Sequence, residues 1–270
     1  MKKKIIIIGK NSFIGTNLYL ALKNKLLIKL ISYKEFNKFI KNIDKYDYIC
    51  NCSLTKNYQR EKYSTKYDLD YQIAKKIINS KIKYIFLSSR KIYKPKFNIK
   101  ENGKILTISN FHKNKLLSEI NLKKILKKKL LILRISNIIG LKIKSRRCLN
   151  KTFFDNYIDI LKKGKITFYK NDFKDFLSVK QFVKIFLLLL KKDSHGIFNV
   201  SLGRKVYIKE IINWLNTYNK KSNIFISLKK NKINNDSFTL NNKKLLKRIN
   251  IKITKDELRS YCLKLSKKIH

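Results

Sequence analysis

Four consecutive isoleucines, Ile5–Ile8, run straight into Gly9, and this junction restricts the fold more than any other stretch of the chain. An unbroken β-branched run suits a strand covered on both faces, the condition of a strand inside a parallel sheet. Apolar spacing from Ser12 to Lys23 then predicts a helix. Strands are expected at Leu26–Ile31, Tyr48–Cys52, Tyr84–Ser88 and Leu130–Ile135, with helical stretches at Glu35–Ile43, Tyr67–Asn79 and Leu116–Lys128 between them. This alternation predicts an α/β fold built on a doubly wound parallel sheet, which binds ligands beyond the carboxyl ends of its strands. After about Asn150 the pattern loosens. Phe153–Lys162, Val179–Leu190 and Ile208–Tyr218 look helical, whereas Ile166–Tyr169, Phe198–Val200 and Ile224–Ser227 look like short strands. The expected division is a main domain over 1–150 and a smaller lobe over 151–270, interleaved with returns to the main sheet. Asn231–Asp236 is the best surface-loop candidate.

A formal net charge of +48 invites a nucleic-acid reading, but the lysines are spread along the whole length instead of clustering in one arm. Alanine occurs only at Ala21 and Ala74 and proline only at Pro95, while Lys, Ile, Asn, Tyr and Phe abound, a bias that AT-rich codons produce. No specific nucleic-acid partner is expected, although polyanions at low salt should bind non-specifically. Cys50 and Cys52 alternate on one strand and so share a face, Cys148 and Cys262 are isolated, and none has the spacing of a metal site. Small buried thiols in a reducing compartment are expected. The basic start is followed by too few apolar residues for a secretory signal, and Ile185–Leu190 is far too short to span a bilayer. The expected location is cytoplasmic.

The segment Gly9-Lys10-Asn11-Ser12-Phe13-Ile14-Gly15 leaves a buried strand and enters a helix, the context that a phosphate-binding turn requires. Gly9 allows the tight turn, and Gly15 lets the helix approach the strand. The helix start aims unpaired N–H groups and a positive dipole end at an anion. Ser12 stands where a second glycine usually lets a pyrophosphate approach the backbone; it can cap the helix and donate to phosphate. In a Rossmann sheet this turn holds a dinucleotide.

The turn resembles the G-x-x-G-x-x-G segment of the extended short-chain dehydrogenase/reductases, the family of NAD(P)-dependent nucleotide-sugar epimerases, dehydratases and reductases. Further segments carry the resemblance in family order. Leu87-Ser88-Ser89-Arg90-Lys91-Ile92-Tyr93 is similar to "SSxxVY", and Phe111 to Glu119 is similar to "YxxSKxxxE". Leu133–Gly140 resembles "LRPxNVYG", Lys174–Val179 resembles "RDFIHV", Gly196–Val200 resembles "GxYNV", and Phe238–Arg248 resembles a late "D-N-S-K-L" segment. The resemblance implies hydride transfer between a nicotinamide and a sugar carbon, with a tyrosine carrying the proton and a lysine four residues later lowering its pKa and holding the nicotinamide ribose. It places Ser89 at the catalytic hydroxyl and Lys115 at the lysine. It places Gly9, Ser12, Phe13, Ile14, Gly15, Lys34, Cys52 and Lys115 against the cofactor, and Ser89 and Asn137 against the substrate. A homodimer joined through a helix bundle is among the assemblies that it implies.

One position departs from the pattern. The tyrosine position is Phe111, whose ring has no proton to exchange. Tyr93 is a substitute donor by proximity, although the family uses that aromatic for packing. His112 is expected to be exposed, and Tyr71–Lys75 repeats the spacing on the wrong helix. At the end of the second strand Ser32 stands where an acid would select NAD, and Lys34 is placed to meet a 2′-phosphate. The expectation therefore leans to NADP, with Glu35 pointing the other way. Three readings stay open. The first is an enzyme acting on a nucleotide-activated sugar in surface polysaccharide synthesis. The second is a non-catalytic NAD(P)-binding sensor or partner subunit, which Phe111 favours. The third, a basic nucleic-acid binder, has only the charge behind it.

Overall fold

The computed structural model describes residues 2–141, 153–163, 165–169, 171–219, 225–229 and 236–269. The first half alternates as its hydrophobic pattern requires: β1 (Lys4–Ile8), α1 (Phe13–Leu22), β2 (Leu27–Ile31), β3 (Tyr48–Asn51), α2 (Lys56–Arg60), α3 (Leu69–Lys76), β4 (Lys83–Ser89), α4 (Asn110–Leu126) and β5 (Leu130–Ile135). Ile5–Ile8 are all 0% exposed. Their alternation divides them between two cores, Ile5 and Ile7 facing Leu18 and Phe186, and Ile6 and Ile8 facing Ile73 and Leu122.

The second half contains β6 (Asn137–Ile139), α5 (Phe153–Lys163), β7 (Lys165–Tyr169), β8 (Phe173–Lys174), β9 (Phe176–Ser178), α6 (Val179–Lys191), β10 (Gly196–Val200), β11 (Val206–Tyr207), α7 (Ile208–Asn216), β12 (Phe225–Lys229), α8 (Lys243–Ile249) and α9 (Lys255–Ile269). The main sheet has six strands in the order β10-β5-β4-β3-β1-β2. All its pairings are parallel. Thus β10 comes back from the second half to complete the sheet, while β6 pairs with β9, β8 with β11 and β7 with β12 outside it. Asp175, fully buried between β8 and β9, accepts backbone N–H groups from Leu202, Gly203 and Leu240 and so gathers three segments of the lobe.

Several elements differ from the sequence pattern. α4 begins well before Leu116, because Ser109 caps it at the backbone N–H of His112 and its first turn has a single apolar residue, Phe111. Apolar spacing cannot detect such a turn. The Glu35–Ile43 stretch is a 3₁₀ helix, Phe36–Lys45, with a kink at Asn42. α8 and α9 fall where lysine-rich spacing hid the periodicity, yet Leu245, Ile249, Leu258, Cys262 and Leu265 are buried. Asn231–Asn235 of the expected surface loop and Cys148 lie outside the described residues. Among the described residues no helix is long and apolar enough to cross a membrane.

Candidate active site

The site is built at the carboxyl ends of β1, β3, β4 and β5. Gly9 leaves β1 with φ +127°, a conformation that side chains rarely adopt, and its N–H donates to the Ile31 carbonyl at 2.7 Å. Ser12 caps α1: its hydroxyl accepts the Gly15 N–H at 2.9 Å and donates to the Gly9 carbonyl at 2.9 Å. That proton is committed to the turn, so what the structure displays for Ser12 is the capping role. A Cβ on Gly15 would lie 2.6 Å from Ser12 Oγ and 2.7 Å from the Gly9 oxygen. Cys52 closes the same group from β3, its Cβ within 3.4 Å of the places where Cβ atoms on Gly9 and Gly15 would stand. Its Sγ is 3.9 Å from that of Cys50, as their shared face requires.

The backbone N–H groups of Phe13 and Ile14 have no acceptor among the described residues. They are orphan donors of a helix start, with the positive dipole end behind them, and a phosphate fits there. The Phe13 ring turns toward Gly140 and Val179, linking the turn to the end of β6.

At the end of β2 the carboxylate of Glu35 folds back onto the Ser32 N–H and hydroxyl, both at 2.7 Å. Lys10 of the turn donates to it at 2.6 Å. These bonds, that from Lys10 first, hold the Glu35 pKa down at about 2. A carboxylate therefore stands at the strand end although the residue there is serine. Lys34 is exposed and makes no hydrogen bond or ion pair with this group among the described residues.

Across the sheet, Ser89 ends β4 and is half-buried, its Oγ accepting the Lys91 N–H at 3.2 Å. Ser89 is in register with Ile135 of β5, two residues before Asn137. The Asn137 N–H donates to the Asp175 carbonyl at 3.3 Å, and its side chain is half-buried. Lys115 on α4 is 5% exposed. Its ammonium donates to the Leu87 carbonyl at 2.9 Å and lies 4.6 Å from the Phe86 ring centroid. Burial pushes the Lys115 pKa down, while Asp70 and Asp68 pull it back up. Asp70 is a buried carboxyl bonded by the Tyr84 hydroxyl at 2.6 Å, and burial raises its pKa to about 6 against the pull of Lys115. No motif in the sequence pointed to it. Phe111, four residues before Lys115, shares its helical face and is half-buried.

A buried network keeps β4 and α4 in place. Glu119 on α4, 0% exposed, accepts the Ser88 hydroxyl at 2.5 Å and pairs with Arg134 of β5 at 2.6 Å. Arg134 also donates to the Tyr93 hydroxyl at 2.6 Å, and that hydroxyl donates to Asn199 of β10 at 2.9 Å. Tyr93 is thus a buried strut and not a proton donor for the site; burial lifts its pKa to about 12. His112 is half-buried, contrary to the expected exposure, because the α4 start packs on the turn Arg90–Ile92. Tyr71 and Lys75 lie on α3, a different helix from the one that carries Lys115.

A family model described as "NAD dependent epimerase/dehydratase family" matches residues 28–201, more than half of the chain, beginning after the Gly9–Gly15 turn. Solved structures are similar over the full length. The UDP-N-acetylglucosamine 4-epimerase of Methanobrevibacter ruminantium M1, in complex with UDP-N-acetylmuramic acid, is 20% identical with a TM-score of 0.78, covering 100% of this chain and 99% of that one. The UDP-glucuronic acid 4-epimerase of Bacillus cereus, in complex with NAD, is 16% identical with a TM-score of 0.75, covering 99% of each chain. A dTDP-4-dehydrorhamnose reductase of Clostridium acetobutylicum is 16% identical with a TM-score of 0.74, covering 96% of this chain and 98% of that one. At these identities the likeness shows a shared fold. No curated protein matches the chain at a significant level.

Proposed function

Because the chain belongs to the NAD dependent epimerase/dehydratase family, we propose that it holds a nicotinamide dinucleotide along the Gly9–Gly15 turn and a nucleotide-activated sugar beside Ser89 and Lys115. The observation that carries this reading is the convergence of an open helix start, a strand-end serine and a buried lysine on one end of one sheet. When bound, the nicotinamide supplies the hydride acceptor. Phe13 and Ile14 N–H groups hold the pyrophosphate, Lys115 holds the ribose, Ser89 steadies the reacting sugar oxygen, and Asn137 meets the sugar diphosphate. The site is equipped for hydride transfer except for the proton carrier, since Phe111 offers none. Surface polysaccharide synthesis is the pathway we assign to it as part of the same proposal. Phe111 also supports a second reading, a cofactor-binding subunit or sensor without turnover.

The Glu35 carboxylate moves the cofactor reading from NADP to NAD. An acid at the end of β2 accepts the ribose hydroxyls and repels a 2′-phosphate. Calorimetry on the purified protein is expected to show NADH binding about tenfold or more tightly than NADPH, with Glu35→Ala narrowing the ratio. Tighter binding of NADPH by the unaltered protein would reverse the assignment. Absence of binding of either cofactor at millimolar concentration would remove the dinucleotide reading altogether.

Gly15→Ala tests the turn itself. Its added carbon must displace a carbonyl and a capping hydroxyl, an overpacking cost of about 1–3 kcal/mol. Thermal melting should show that loss, and NADH affinity should fall about tenfold or more because the orphan N–H groups are re-aimed. Unchanged affinity would place the pyrophosphate elsewhere.

A further inference from the structure

The residues just after Ser89 form a cationic cluster that the described residues do not neutralise. Arg90 is 5% exposed, and its guanidinium stacks 3.9 Å from the centroid of the Phe238 ring. It makes a bidentate pair with Asp236 at 2.7 and 3.0 Å, and Lys174 donates to the same carboxylate at 2.9 Å. Among the described residues one acid therefore serves two cations, and their attraction outweighs the effect of its partial burial to hold it ionised. Lys91 comes next and makes no ion pair among the described residues. Its ammonium is pushed down by desolvation and by Arg90 and Lys174, with Asp236 opposing them. His112 faces the same group from α4: its Nδ1 is buried without a hydrogen-bond partner among the described residues, as is Nε of Arg90. Burial first, then Lys91 and Arg90, push the His112 pKa down.

Arg90, Lys91 and Lys174 set against Asp236 leave two positive charges in excess at a partly desolvated site. Charges on an ordinary lysine-rich face are solvated and cost little, whereas these three are crowded around one carboxylate and Lys91 is lowered by desolvation and its neighbours, an arrangement that functional sites use. The segments outside the described residues hold no carboxylate to balance them, since 142–152, 220–224 and 230–235 contain neither Asp nor Glu. The cluster follows Ser89 directly in the chain, and the Lys91 backbone N–H donates to the Ser89 hydroxyl.

We infer that the sugar bound beside Ser89 carries a carboxylate, so that the substrate class is a nucleotide-activated acidic sugar, a uronic acid instead of a neutral hexose. This rests on the reading of the site as a nucleotide-sugar pocket. Lys91 and His112 are the groups that meet the carboxylate; Arg90, Lys174 and Asp236 position them. The diphosphate is the competing anion, but Asn137 and the β6 end, and not the Ser89 turn, are assigned to it.

Calorimetric titration of the full chain with NAD present, using UDP-glucose against UDP-glucuronate and GDP-mannose against GDP-mannuronate, with UDP and GDP alone, tests this. In at least one pair the acidic sugar should bind about tenfold or more tightly than its neutral counterpart, the value of one charge-assisted hydrogen bond. Lys91→Gln, at an exposed position where folding is not at stake, should bring that ratio toward one. Equal affinities within both pairs would overturn the acidic-sugar assignment and leave the nucleotide-sugar reading standing. So would a Lys91→Gln loss shared alike by UDP, UDP-glucose and UDP-glucuronate, which would assign the cations to the diphosphate. If no nucleotide sugar binds, both readings fall together.

Discussion

Phe111→Tyr is expected to raise hydride transfer by about 10²–10⁴, the usual worth of a positioned general acid–base. The substitution adds one hydroxyl to a half-buried ring on the same helical face as Lys115. The Lys115 ammonium, already seated at the end of β4, favours the ionised phenol and so brings its pKa toward neutrality. Turnover of nucleotide hexoses and 4-keto sugars, followed by nicotinamide absorbance, measures the gain. A spectrophotometric titration of the introduced phenol gives a readout that does not depend on the sugar. Adding Lys115→Met to Phe111→Tyr should abolish both the gain and the lowered phenol pKa. If the unaltered protein turns over rapidly and Phe111→Tyr changes nothing, the proton carrier lies elsewhere.

The largest effect on stability is expected from Glu119→Ala. It leaves the Arg134 guanidinium, 4% exposed, without its counter-ion and strips the acceptor from Ser88. Breaking one side of a buried pair costs about 3–5 kcal/mol. For a chain of this size that is a fall in melting temperature on the order of 10 °C. Pairing Glu119→Ala with Arg134→Met removes the orphaned charge and should restore more than half of the loss. A melting temperature within experimental error of the unaltered protein for Glu119→Ala would show that the pair does not hold β4, α4 and β5 together. Because Ser88 precedes Ser89 and Glu119 stands one helical turn beyond Lys115, the same substitution should also loosen the spacing between the two site residues.

The parts of this protein legible in the sequence are those with a local physical cause. Ile5–Ile8 could only be a doubly covered strand, and Gly9 and Gly15 could only be a close turn, since each property belongs to a run of neighbours. The departure at Phe111 is equally a sequence fact. The start of α4 was hidden because a capping serine and a first turn with a single apolar residue leave no apolar period, and α9 because charged and polar residues break up its apolar positions.

The features that tertiary structure decided bring charged groups into arrangements that local patterning does not show, most of them between residues distant along the chain. Ser32 promised no acid at the end of β2, yet the chain turns back to place the Glu35 carboxylate there. Asp70 became a buried carboxyl in the electrostatic environment of Lys115 only when α3 packed against α4. Asp236 reached Arg90 across 146 positions, and the charge left over on Lys91 is visible only in that arrangement. The sequence by itself determined the alternating sheet, the open helix start and the missing phenol, because periodicity, glycine and side-chain chemistry act within a few residues. Tertiary structure decided which charges face one another around them, because Coulomb attraction and desolvation depend on distance and burial and take no account of order along the chain.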